Sequence, residues 1–164
     1  MKDFIDFIIY EDEDTKFILR FDTKNSHVHG FTDKPPQTWN EVYKVYYSYS
    51  IIEYWKEEKE EHVIYEDNYD ECSVLYDVWY DLQAICTSTY YGSEHEYKFV
   101  PMGYGTTWII KRPTNLLEWG FQLFQSHGIV NKGCCFSLNL EEMKELTNTL
   151  KEFLDYTLEN SEGI

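Results

Sequence analysis

Apolar side chains recur at two different periods along this chain, and neither an all-helical nor an all-strand architecture accommodates both. Between Thr15 and Phe21 they come at every second position. Phe17, Leu19 and Phe21 alternate with Lys16, Ile18 and Arg20, the period of a strand whose other face is largely wet. Near the other end they come every three to four positions. Met143, Leu146, Leu150, Phe153, Leu154 and Leu158 follow one helical face, and Asn139 with Glu142 supplies a cap pair at its start. An α+β fold is the expectation.

Phe4 to Tyr10 and Thr15 to Phe21 read as a hairpin around the acidic turn Glu11-Asp12-Glu13-Asp14. The first arm is the more continuously apolar and is expected inside the sheet. Asn25 to Gly30 is turn-rich, and Pro35-Pro36 closes the block. Thr38 and Glu41 then match a capping box, which predicts a helix from about Trp39 that the Lys56 to Glu61 charge run extends. Tyr43, Val45, Tyr47, Tyr49 and Ile51 contest it, because they alternate like a strand and are β-branched or aromatic. The cap decides for helix. A second helix, capped by Asp70 or Ser73, carries Val74, Leu75, Val78, Trp79, Leu82, Ile85 and Cys86 on one face and stops near Gly92. Short apolar segments follow, Tyr97 to Val100, Thr106 to Lys111, Trp119 to Phe124 and Cys134 to Leu138, which read as antiparallel strands joined by short loops. The expected architecture is one domain over 1–164, an antiparallel sheet from the N-terminal hairpin and the C-terminal strands, with two central helices and a C-terminal helix.

A length of 164 residues suits one core, and 43% hydrophobic with 27% charged residues describes a globular chain. No apolar run approaches the ~18 residues that span a bilayer. Asp3 and Asp6 interrupt the N-terminal apolar stretch, which is unlike a secretory signal, so a cytoplasmic location is expected. Cys72, Cys86, Cys134 and Cys135 lack Cys-x-x-Cys spacing and read as small buried hydrophobes.

Thirty acids stand against 14 bases, a formal net charge of −16. Phosphate binding rewards Lys and Arg for displacing counterions, so direct nucleic-acid binding is disfavoured. The same field attracts basic proteins and speeds their encounter, although acid also simply solubilises. The excess is uneven: residues 36–82 hold 12 acids against 3 bases, a net of −9, and most of the tyrosines.

Signs of chemistry are sparse. His27 and His29 share one strand face, where with carboxylates they suit a metal, but no third ligand is fixed. His95 lies among Ser93, Glu94 and Glu96, which would raise its pKa, although an exposed loop histidine is the plainer reading. Gly103-Tyr104-Gly105-Thr106-Thr107 lacks the lysine of a phosphate-binding loop and reads as a turn. Neither Cys134, Cys135 nor Ser126-His127 carries the surroundings of a nucleophile. No enzyme and no cofactor are therefore expected.

Acid combined with tyrosine does something physical. Tyr gives rigid amphipathic contact at low entropic cost, and Asp and Glu pair with Arg and Lys. Glu66, Asp67, Asp70, Glu71, Tyr76, Asp77, Tyr80 and Asp81 are the expected face of this kind, whereas the tyrosines of 43–55 read as core. The expected function is a non-enzymatic inhibitor of immunity or anti-defence type that blocks a cationic, nucleic-acid-acting protein, its carboxylates standing where DNA phosphates would. A second reading is an aromatic-lined binder of a nucleotide or sugar, with Trp39, Tyr43, Trp55, Trp79 or Trp108 as stacking platforms. A third is a small hydrolase using His27, His29 or His95.

Overall fold

The computed structural model describes residues 2–70, 74–87, 95–99, 106–112, 119–125 and 134–162. In chain order its elements are β1 (Phe4–Glu11), β2 (Thr15–Asp22), β3 (His27–Gly30), a 3-10 turn (Trp39–Glu41), β4 (Val42–Trp55), β5 (Glu60–Asp70), α1 (Val74–Thr87), β6 (His95–Phe99), β7 (Thr106–Arg112), β8 (Trp119–Gln125), β9 (Cys134–Leu138), α2 (Leu140–Glu159) and β10 (Ser161–Glu162). The chain divides into two compact units, residues 1–73 with 151–164, and residues 74–150. The α+β expectation holds at this level: antiparallel sheet with helices.

In the first unit β1 and β2 pair as the expected hairpin. Its turn is built on Asp12, whose Oδ1 accepts the N–H groups of Asp14 and Thr15, each at 2.8 Å. These bonds, that from Thr15 foremost, hold the Asp12 carboxyl below its usual range. The first arm, however, lies at the edge and the second inside, since β2 pairs with both β1 and β4. The apolar continuity of β1 serves two faces. Ile5, Phe7 and Ile9 enter the core while Phe4 and Ile8 stay exposed on the opposite side.

The helix expected from Trp39 through Glu61 is absent. One 3-10 turn forms, Val42 is already extended at φ −82°, ψ 126°, and the chain runs on as β4, a turn at residues 56–59, and β5. The capping box fails because Thr38 makes no side-chain cap bond and Glu41 Oε2 takes the Gln37 N–H at 2.6 Å instead. Alternation wins over the cap for a reason of packing. As a strand, Val45, Tyr47, Tyr49 and Ile51 all reach the core on one face, whereas a helix would spread the apolar residues around its whole circumference. Lys59, at φ 55°, supplies the left-handed residue that closes the β4–β5 turn.

β2 and β3 lie in tandem along one edge of β4, with β5 on the other. Phe21 faces Tyr49 and His27 faces Tyr46, so six steps along one strand match three along β4. The surplus residues loop out, and their polar groups are tied down. Ser26 Oγ accepts the Ser48 N–H at 3.0 Å, the Ser26 carbonyl accepts Asn160 Nδ2 at 3.0 Å, and the Asn160 carbonyl accepts the Val28 N–H at 3.4 Å. The Thr23 N–H donates to the Asp3 carbonyl at 3.0 Å, and its hydroxyl to the Lys2 carbonyl. From Asn160 the chain continues into β10, which pairs in parallel with β3. On the core face, Phe153 of α2 stacks on Phe21 with ring centroids 4.7 Å apart and meets Tyr47 at 6.1 Å.

In the second unit β6, β7, β8 and β9 form their own four-stranded antiparallel sheet rather than continuing the first. The cap expected for α2 is present in both directions: Asn139 Oδ1 accepts the Glu142 N–H at 2.8 Å, and Glu142 Oε1 accepts the Asn139 N–H at 3.1 Å. Met143, Leu146 and Leu150 are buried as their spacing requires. Thr147 is buried too, its hydroxyl bonded to the Met143 carbonyl at 2.8 Å and 3.8 Å from Cys86 Sγ of α1. Among the described residues one central helix, α1, forms; of its two proposed caps Asp70 ends β5, and Ser73 and the stop Gly92 lie outside the described residues.

Truncating Phe153 to Ala should cost about 3–5 kcal/mol, the range for a buried aromatic lost from a core. Asn139→Ala should cost about 1 kcal/mol, as loss of a cap does. Urea unfolding of both variants checks the ordering.

Candidate functional site

The helical period of α1 sorts its residues into two faces. Leu75, Val78 and Leu82 are buried, while Asp77 and Asp81 are exposed, Tyr80 is 60% exposed and Tyr76 is half-buried. The Tyr76 ring lies 6.4 Å from that of Tyr80 and 5.7 Å from that of Trp79. Burial raises the Asp77 carboxyl above its usual value, and the charge of Asp81 one turn away raises it further.

The acids ahead of this helix belong to the first unit, on β5. Glu66 is exposed and faces Ser50, while Asp67 pairs with Tyr49 and Asp70 with Tyr46. Glu71 lies outside the described residues.

Registering β5 on β4 uncovers an arrangement that the helical reading of 38–61 conceals. On the face of the first sheet opposite the Phe21–Phe153 core, Asp6, Arg20, Ser50 and Glu66 lie in one row across four strands. Ile8, Ile18, Ile52 and Val63 form the next. Arg20 grips Asp6 through two parallel bonds of 2.8 and 2.9 Å and reaches Glu61 at 2.8 Å, with the Phe4 ring 5.4 Å from its guanidinium carbon. Its bonds to Asp6, and after the opposing effect of burial those to Glu61, push its pKa further above the usual range. A groove of about 260 Å³ opens beside it, lined by Phe4, Ser50, Ile52, Glu61, Val63 and Glu66 among others. The alternation from Tyr43 to Ile51 was the signal that this segment is a strand.

His27 and His29 do share a strand face, their rings 5.2 Å apart. His27 stacks on Tyr46 at 4.5 Å, and Lys44 Nζ lies 5.2 Å from the same Tyr46 ring. Among the described residues no group of three or more His, Cys, Asp or Glu is placed to hold a metal ion. His95 falls on β6 opposite Arg112, on a strand rather than a loop, and Cys134 and Cys135 are successive residues of β9. Trp39 begins the 3-10 turn, Trp55 ends β4, Trp79 lies on α1 and Trp108 on β7. Gly103, Tyr104, Gly105, Ser126 and His127 lie outside the described residues. Among the described residues no helix is long and apolar enough to cross a membrane.

Set against known proteins, the sequence matches no family model and no curated protein.

A carboxylate whose folded pKa is raised is destabilising once the pH exceeds its unfolded value, because the folded state then holds the proton more tightly than the unfolded chain. The penalty is absent below about 3.8, the ordinary value, and full above the raised one. Asp77→Asn should therefore melt higher than the parent chain at neutral pH, with an advantage that shrinks as pH falls into the ordinary carboxylate range. Thermal melts across pH check the trend.

Proposed function

We propose that this chain is a non-catalytic inhibitor, of immunity or anti-defence type, that blocks a cationic protein acting on nucleic acid by presenting carboxylates and tyrosines where phosphates and bases would lie. The observation that carries it is where the cations are spent. Lys16 and Lys56 sit against Glu11, Arg20 against Asp6 and Glu61, Lys144 against Glu141, and Lys151 against Asp155, at 2.8–3.8 Å. Among the described residues these five bases are thus paired within the chain, and the net charge of −16 acts outward. Such a field raises the encounter rate of a basic partner and opposes nucleic acid itself. The exposed Tyr80, Asp77 and Asp81 of α1 add aromatic contact to that charge.

A second reading has its own support. Phe31 and Tyr43 are both exposed with rings 5.2 Å apart, beside a cavity of about 390 Å³ lined by Phe31, Lys34, Pro35, Pro36, Asn40 and Glu41. That volume falls in the ~300–1,000 Å³ range of small-molecule sites. Stacking of a nucleotide or sugar on Tyr43 is the activity it suits.

Ionic strength separates the two. Capture of a basic protein from the cell extract by the immobilised chain should weaken steeply from low to moderate salt, whereas stacking of a neutral sugar should barely change. Asp77→Lys combined with Asp81→Lys should weaken capture by roughly tenfold or more, ~1.4 kcal/mol, with the circular dichroism spectrum unchanged. Retention of no basic protein at low salt overturns the first reading.

A further inference from the structure

The face of the first sheet that carries Arg20 is built unlike a merely solvated surface. Its apolar row crosses all four strands: Ile18 and Ile52 at the centre are 8% and 3% exposed, while Ile8 and Val63 at the ends are 46% and 58% exposed. Phe4, exposed by 49%, extends the apolar area past the charged row. A strand face meant only for water carries polar residues at these positions. Acid surrounds the row. Asp6, Asp22, Glu61 and Glu66 stand at or beside the groove against the single guanidinium of Arg20, itself engaged by two of them.

We propose that this outer face of β1, β2, β4 and β5 is a further surface on which the chain docks its partner, and that it takes a segment in which an aliphatic side chain is flanked by Lys or Arg. The proposal rests on the reading above that the partner is a basic protein, and it names the surface and the chemistry of the contact. The aliphatic group enters the groove beside Ile52 and Val63. The flanking cations meet the carboxylates on either side. Size argues for a side chain as occupant, because about 260 Å³ is below the ~300–1,000 Å³ typical of small-molecule sites. Charge argues against a second copy of this chain, since two such faces would bring like carboxylates together. The pairs from Arg20 to Asp6 and Glu61 fix one wall of the groove before the partner arrives, which lowers the ordering cost of binding.

Three capped ten-residue peptides test this at low ionic strength: Lys alternating with Leu, Lys alternating with Gly, and Glu alternating with Leu. Calorimetry gives the affinities and backbone amide shifts give the location. Binding of the Lys-Leu peptide roughly tenfold or more tighter than the Lys-Gly peptide is expected, with no binding of the Glu-Leu peptide. Shifts should gather at Ile8, Ile18, Arg20, Ser50, Ile52 and Val63. Ile8→Thr with Val63→Thr keeps the charge and the strand preference and should remove roughly tenfold of the affinity; Glu66→Gln should weaken binding and flatten its salt dependence. Equal binding of the two lysine peptides, shifts confined to α1, or full affinity in the threonine variant overturns this site and leaves the basic-partner reading standing. A dimer of the parent chain that the threonine substitutions dissolve overturns it by giving the row to a second copy. If neither lysine peptide binds, the site and the reading beneath it fall together.

Discussion

A strand of 14 residues must find hydrogen-bond partners for both of its edges along roughly 46 Å, at about 3.3 Å per residue, and β4 is such a strand. On one edge β5 pairs with Tyr46 through Trp55, because the turn at residues 56–59 returns the chain directly. On the other edge the chain supplies two strands end to end, β2 and then β3. The junction between them would leave buried polar groups unmatched without Ser26, Thr23 and Asn160. The two faces of the first sheet, the Phe21–Phe153 core and the Arg20 row, both take their register from this arrangement.

What was legible in the sequence was what local patterning decides. The β1–β2 hairpin, the strands in the 95–138 region, and the reciprocal Asn139–Glu142 cap with Met143, Leu146, Leu150, Phe153 and Leu154 beneath it follow from period and capping alone. The stretch from Thr38 to Glu61 shows the limit. A capping box is worth about 1 kcal/mol and concerns one turn, while alternation over Tyr43 to Ile51 commits a whole strand to a buried face, so the longer-range term prevails. Tyr47 and Tyr49 were rightly read as core, on the wrong element. The row of Ile8, Ile18, Ile52 and Val63 was not legible at all, because it exists only in the register between strands and in the irregularity between Ile51 and Ile52. Of the candidate acids, Glu66 lies in the neighbouring row with Asp6, Arg20 and Ser50, and Asp77 and Asp81 are exposed on α1.

The charged groups are used in two contrasting ways. Arg20 and its two carboxylates are partly exposed, and pairs of this kind contribute little net stability, about 0–1 kcal/mol. What the fork does provide is orientation, since two bonds to Asp6 and two to Glu61 direct the guanidinium. Asp77 and Asp81 present the opposite case, two carboxylates one helical turn apart, the pKa of Asp77 raised by burial first and by the charge of Asp81 second. Bringing a cation there relieves a cost that folding has already incurred.

The tie between Ser26 and Asn160 spans 134 residues. During synthesis, the segment up to Asp70 can pair β1, β2, β3, β4 and β5 among themselves, but the outer edge of β3 and the Ser26 carbonyl receive their partners only when residues 160–162 have left the ribosome. Phe153, which closes the core over Phe21, arrives just as late. A closing contact of such sequence separation carries a large loop entropy and sets a slow final step. Until that step the nascent chain holds a sheet whose β3 edge is open and whose Phe21 face is uncovered, the kind of surface that aggregation and chaperones act on.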